Sequence, residues 1–313
     1  MLNAKENWLE AINFGKPDYV PMGNENIWYT INFDNSIKQE NWTDLWGIDW
    51  KVEMKGTSPF PKGNPLSDIR NLDNYHFPSA SELIINMDSL NKSKTIDRST
   101  TVVSGNFTYL LFERAWALMG MESFFEAIYE YPEELRFILH KIAKFTKDGF
   151  DRLIECGVES ISFSEDLGSQ RALMISPKHF EEFFIPEYQY IFETAKKENV
   201  MINFHSCGCI EEIAGMIADL GVTELNPIQA RANNLRKVKN DTFGKMALSG
   251  GIDSQMLIIG TPEEVKAETQ RVIEILKPGG GYVCAPDQLM PDMKEENMNM
   301  MWETCKEYGK YSY

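Results

Sequence analysis

One repeating grammar constrains this chain more than any single motif does. A short β-rich run ends in small or polar residues, an amphipathic helix follows, and glycine closes it. After Tyr131-Pro132, the apolar residues Leu135, Ile138, Leu139, Ile142, Phe145, Leu153 and Ile154 recur at helical spacing, with Pro132 suited to the first turn and Gly157 to the position past the end. A strand candidate, Glu159 to Ser164, follows directly. Ser176-Pro177 opens a second helix, and Val200-Met201-Ile202-Asn203-Phe204 leads into His205. Ile210, Ile213, Ile217 and Leu220 mark the buried face of a third helix, which stops at Gly221 ahead of Val222-Thr223-Glu224-Leu225. Thr261-Pro262-Glu263-Glu264 reads as a capping box, with Val265, Thr269, Val272, Ile273 and Leu276 as the buried stripe and Pro278-Gly279-Gly280-Gly281 ending the helix before Tyr282-Val283-Cys284.

Strands that alternate with helices pair in parallel. The pattern places strand ends near residues 23, 105, 164, 205, 226, 250 and 284, with an eighth strand before residue 100, and so predicts a (β/α)8 TIM barrel. We read 1–313 as a single barrel domain and the asparagine-, tryptophan- and proline-rich residues 24–100 as insertions at its mouth. A doubly wound sheet is the rival architecture, and it lacks the glycine-rich nucleotide fingerprint here.

Charge narrows the partners. The net charge of −16 repels phosphate backbones and anionic membrane surfaces, so neither nucleic acid nor membrane is expected as a partner. No apolar run approaches the roughly 18 residues of a spanning helix, and the polar N-terminus Met1-Leu2-Asn3-Ala4-Lys5-Glu6-Asn7 has no segment of signal-peptide type; a cytoplasmic location is expected. Five cysteines, Cys156, Cys207, Cys209, Cys284 and Cys305, argue against a disulfide framework and leave thiolate or metal roles open.

In a barrel, the C-terminal strand ends line the active site. That rule nominates Asn24 and Glu25, Ser104 and Asn106, Glu165 and Asp166, His205 and Cys207, Asn226, Asp253, and Cys284 with Asp287. His205 and Cys207 are two apart and share one strand face, where imidazole and thiolate make half of a zinc site; the alternative is a hydrogen-bonded histidine beside packed cysteines. Glu165 and Asp166 point opposite ways, so only one faces the pocket. Asp253 follows Ser249-Gly250-Gly251-Ile252 and reads either as a general acid or as a helix cap. Trp28, Tyr29, Trp42, Trp46 and Trp50 offer an aromatic substrate wall or the core of the insertion.

At these residues the chain resembles the uroporphyrinogen decarboxylase superfamily, and more closely its cobalamin-linked methyltransferase-like branch. The resemblance rests on Glu165-Asp166-Leu167-Gly168-Ser169-Gln170, Ile175-Ser176-Pro177, His205-Ser206-Cys207-Gly208, Leu225-Asn226-Pro227, Gly250-Gly251-Ile252-Asp253-Ser254-Gln255 and Gly279-Gly280-Gly281-Tyr282-Val283-Cys284-Ala285-Pro286. It implies a (β/α)8 barrel and a zinc ion held by His205, Cys207 and a distant cysteine. That cysteine is assigned to Cys284, with Glu165 as a substitute oxygen ligand, because Gln288 occupies the position after Ala-Pro-x where the family's cysteine stands.

The implied activity is methyl transfer between a small substrate, such as a methoxylated aromatic in an O-demethylase system, and a corrinoid protein. Transfer from the corrinoid to a thiol is the alternative direction. The corrinoid would be carried by a partner, since the chain has no Asp-x-His-x-x-Gly motif. Glu165, Asp166, Asp253 and Tyr282 are the expected proton donors or orienting groups, and Asn24, Trp28, Asn106, Gln170, Asn226 and Asp287 the expected substrate contacts. A homodimer is an open alternative to a monomer. Decarboxylases of the superfamily hold tetrapyrrole carboxylates with an arginine-rich entry motif, where this chain reads Val20-Pro21-Met22-Gly23-Asn24-Glu25-Asn26. A metal-free decarboxylase and a non-catalytic ligand-binding barrel are therefore the secondary readings.

Overall fold

Successive strand residues face opposite sides of a sheet. Here that freedom separates an apolar outside from a polar inside: Ser160, Ser162 and Ser164 alternate with the buried Ile161 and Phe163, and Asn203 and His205 with Ile202 and Phe204. The computed structural model describes residues 1–34, 38, 40–53 and 59–313; nine positions of the expected 24–100 insertion lie outside the described residues. Its strands are β1 (Trp28–Ile31), β2 (Trp42–Thr43), β3 (Asp49–Lys51), β4 (Phe60–Gly63), β5 (Val102–Phe107), β6 (Ser160–Ser164), β7 (Met201–His205), β8 (Glu224–Ile228), β9 (Ala247–Ile252) and β10 (Tyr282–Pro286).

Seven strands form one parallel sheet in the order β1-β5-β6-β7-β8-β9-β10. Met22 bridges in parallel to Cys284 on the free edge of β10, where the Gly23 amide donates to the Cys284 carbonyl at 2.9 Å. A few residues later, β1 holds the opposite edge against β5. One stretch of chain thus touches both edges, and the sheet curls into a TIM-barrel-like (β/α) fold. The sequence predicts eight strand ends. Among the described residues the ladder contains seven strands: β1 is the strand expected before residue 100, and the one expected to end at 23 is reduced to the Met22–Cys284 bridge.

Helices cover the outer face. Pro132–Glu155 carries Leu135, Ile138, Leu139 and Ile142 inward and ends before Gly157, whose φ of 80° suits glycine alone. The capping box at Thr261 opens Pro262–Leu276, as its spacing predicts. The helix expected over 210–220 is shorter, Ala214–Asp219, because its first turns are taken up by a loop whose Ile210 amide donates to Asn233. At the N-terminal end of the barrel, Trp8 of Ala4–Ile12 packs on Ile27, Val102, Ala247 and Val283 and floors the lumen.

The described residues of the insertion carry more structure than their composition suggests. β2, β3 and β4 pair in an antiparallel sheet, Trp46 and Trp50 are buried, and Trp50 stacks on Tyr109 at 4.6 Å. Asp44 accepts from the Trp50 indole at 2.9 Å and pairs with the buried Arg114, so neither charge is left unpaired. Trp46 and Trp50 are thus packed in the core of the insertion and do not line the barrel lumen. Among the described residues, no helix is long and apolar enough to cross a membrane.

Candidate active site

The inward residues of most TIM barrels are branched aliphatics. Those of this chain enclose a cavity of about 770 Å³ lined by Ser104, Asn106, Ser162, Asn203, Glu224, Asn226 and Ser249 together with Trp8, Trp28 and Trp302. His205 lines it too, at the C-terminal end of β7. Of the substrate contacts expected from sequence, Asn24, Trp28, Asn106, Asn226 and Asp287 all face this cavity.

At its rim Asp166, His205 and Cys207 converge, with one ligand atom from each within 4.8 Å of the others. His205 Nε2 is 3.5 Å from Cys207 Sγ and 3.7 Å from Asp166 Oδ1. Asp166 also accepts from the Cys207 amide at 2.8 Å, which ties the two loops together. The outer nitrogen of the imidazole is fixed by a polar chain. His205 Nδ1 is 3.0 Å from Asn226 Oδ1, the Asn226 amide reaches Ser249 Oγ at 3.4 Å, and Ser249 hydrogen-bonds the buried Glu224. With Asn226 donating toward Ser249, its oxygen is left to accept from Nδ1–H, so the Nε2 lone pair points at Cys207 and Asp166.

This donor set fits a zinc ion. Nitrogen, sulfur and oxygen ligands leave a fourth position open. Burial, and after it the neighbouring carboxyls of Asp166, Asp287 and Glu113, push the Cys207 thiol up to about 12, and a dication bound beside it would favour the thiolate. Glu113, which sequence reasoning passes over, is pushed up to about 8 by burial and by Asp166 and Glu165. It lies inside a helix, and the strand-end rule could not nominate it.

Five assignments from sequence need correction. Cys284 points outward from β10 with Tyr282, is fully buried, and hydrogen-bonds Cys305; it cannot join His205 and Cys207, whereas the inward neighbours Val283, Ala285 and Asp287 line the cavity. Tyr282 donates to the Gly250 carbonyl at 3.0 Å on that same outer side and does not line the cavity. Glu165 is wholly buried with its carboxylate accepting from the amides of Leu111, Phe112 and Glu113, so it starts a helix and is not free to ligate or catalyse. Asp253 caps Ser254–Ile259 through Gln255 and Met256 and pairs with Arg231 at 2.6 Å, the cap reading of the two that sequence left open. Gln170 stands outside the cavity lining, donating to Gln229 at 2.9 Å, and Gln229 in turn holds the Gly208 amide beside Cys207 at 2.8 Å.

Two glycines let the ligand loops touch backbone to backbone. A Cβ on Gly208, where φ is 84°, would lie 2.3 Å from the Gly168 carbonyl oxygen. Gly208→Ala is therefore expected to cost about 2 kcal/mol or more of stability and to weaken zinc binding at least about tenfold, since Cys207 must move with its neighbour. Denaturant unfolding and metal-competition titration check both; unchanged zinc affinity in the variant would show that the loop contact does not place Cys207.

The family model described as Uroporphyrinogen decarboxylase (URO-D) matches residues 46–308. The chain is 22% identical over 265 residues to the uroporphyrinogen decarboxylase of Chlorobium limicola, covering 82% of this chain and 73% of that one. With the Chlorobium luteolum enzyme of the same name it shares 23% over 274 residues, covering 83% and 75%. Among solved structures, a methyltransferase from Methanosarcina mazei superposes with a TM-score of 0.75 over 98% of this chain and 99% of that one, at 17% identity.

Proposed function

The chain belongs to the uroporphyrinogen decarboxylase family, and from that premise we propose that it is a zinc-dependent methyltransferase, moving a methyl group between a small substrate and a corrinoid carried by a partner protein. One observation carries this reading: the convergence of Asp166, His205 and Cys207 at the rim of a deep polar cavity. Bound zinc would supply a Lewis acid beside the substrate heteroatom. His205 would hold it through Nε2, Cys207 through Sγ and Asp166 through a carboxylate oxygen, with Asn226 keeping the imidazole in the ligating tautomer.

The reacting methyl favoured here is that of an aryl methyl ether, whose cleavage leaves a phenolate in need of a proton. Burial pushes Asp287 up to about 7 at the cavity wall, where its carboxyl accepts from the Gly251 amide at 3.0 Å and from the Ala230 backbone, so it can hold a proton for the leaving phenolate near neutrality. The same residues serve transfer in the thiol direction. Decarboxylation of a polycarboxylate is disfavoured by the lining, which among the described residues contains no lysine or arginine to hold the carboxylates.

Metal content is the test. Protein purified without a metal-affinity tag should hold close to one zinc per chain by elemental analysis, and Cys207→Ser close to none. A folded wild-type chain that takes up no zinc would overturn the reading.

A further inference from the structure

The charge of the cavity limits what can enter it. Glu224 is 93% buried on β8; the Trp8 indole and the Ser249 hydroxyl hydrogen-bond it, yet Oε2 has no partner. Asn203 sits opposite Glu224 in the β7–β8 register and leaves its own Oδ1 unpartnered. Two buried acceptors side by side cost about 1–3 kcal/mol each unless something donates to them, and no cationic side chain lines the wall among the described residues. The aromatic lining suits the same visitor, since Trp8 and Trp28 meet edge to face at 4.8 Å on this wall and indole faces attract organic cations.

Resting on the reading of this cavity as the methyl-transfer chamber, we propose that its substrate is a methoxylated aromatic amine, whose ammonium end donates to Glu224 Oε2 and Asn203 Oδ1. The sheet supplies the length. His205 lies two residues beyond Asn203 on the same face of β7, a rise of about 6.6 Å, which a para-substituted benzene ring spans between an ammonium and an ether oxygen. A carboxylate at the amine position has no hydrogen to donate to Asn203 Oδ1, and it would meet like charge at Glu224 once that group, which burial lifts to about 7, ionises. An alcohol would supply one donor where two acceptors wait.

Titration calorimetry with three probes of matched shape decides the matter: 4-methoxybenzylammonium, 4-methoxybenzyl alcohol and 4-methoxybenzoate, on the zinc-loaded full chain. The ammonium should bind at least tenfold tighter than either of the others, and Glu224→Gln should shrink that preference below threefold. Asn203→Leu, which leaves the carboxyl in place, should weaken the ammonium severalfold and keeps the test alive if Glu224→Gln does not fold. Equal or tighter binding of the alcohol or the carboxylate, no binding of any probe, or a preference untouched by both variants would overturn the proposal. Methyl transfer is read separately. Turnover of 4-methoxybenzoate but not of the ammonium overturns the substrate class and leaves methyl transfer standing, whereas tight ammonium binding with no turnover does the reverse.

Discussion

Replacing His205 by Ala should leave a folded chain whose methyl transfer from an aryl methyl ether to a reduced corrinoid falls below about a thousandth of the wild-type rate, since metal Lewis-acid activation contributes several kcal/mol and each 1.36 kcal/mol is tenfold. The variant should also lose its zinc. Folding should survive because His205 is partly exposed at a strand end, with its side chain 38% accessible, and its one firm hydrogen bond is to Asn226. Removing Asn226 separates holding the metal from orienting the ligand. Asn226→Ala leaves all three ligand atoms in place but frees the imidazole to take the other tautomer, so zinc affinity should fall about tenfold to a hundredfold with activity restored at high zinc. Corrinoid methylation followed by absorbance, beside a zinc titration, measures both. Full activity in His205→Ala would sink the metal-assisted reading.

The same residues show how far sequence carries. The His205 and Cys207 pair was legible from its close spacing and specific chemistry. Strand β7 ends at His205, however, so the loop that follows, tied by the Cys207 amide to Asp166, and not strand alternation brings Cys207 beside it. The third member of the cluster was not legible. Asp166 follows the end of β6, and whether it or Glu165 turns to the site depends on where the helix Phe112–Met119 begins. That helix has no side-chain cap of its own, and Glu165 is drawn to its amides, leaving Asp166 to face Cys207. Cys284 failed for a simpler reason. Its separation from Cys207 was plausible, but alternation within β10 turns it away from the lumen, and Asp287, just past the end of β10, is the group that acts on Cys207.

The lumen itself was half visible. Ser160-Ile161-Ser162-Phe163-Ser164 and Glu224-Leu225-Asn226 spell a polar inward face, but attention to strand ends passed over Asn203 and Glu224, which lie one layer deeper. The insertion was least legible, because its order comes from long-range contacts such as Asp44 with Arg114 and Trp50 with Tyr109, which no local period announces.

Glu165 is where the largest loss of stability is expected. Its two carboxylate oxygens accept from three consecutive backbone amides at 2.6 to 3.2 Å and from the buried Tyr188 hydroxyl. Glu165→Ala would orphan those amides and the phenol inside the core, at about 1–3 kcal/mol for each buried donor left without a partner, so a total cost of about 4 kcal/mol or more is expected. Glu165→Gln, which keeps one acceptor, should cost about half as much. The pH dependence distinguishes a buried carboxyl from a packing defect. Burial outweighs the donors and pushes Glu165 up to about 7, so near pH 6 the folded chain holds a proton that the unfolded chain has released. The unfolding free energy therefore falls as pH rises from about 4.5 to about 7, and the Gln variant should lack this part of the slope, so that its deficit against wild type narrows toward alkaline pH. Urea unfolding of wild type and both variants across that range measures it. A deficit for Glu165→Gln that is the same at every pH would mean that Glu165 stays ionised in the folded chain and that its amide donors, not burial, set its charge.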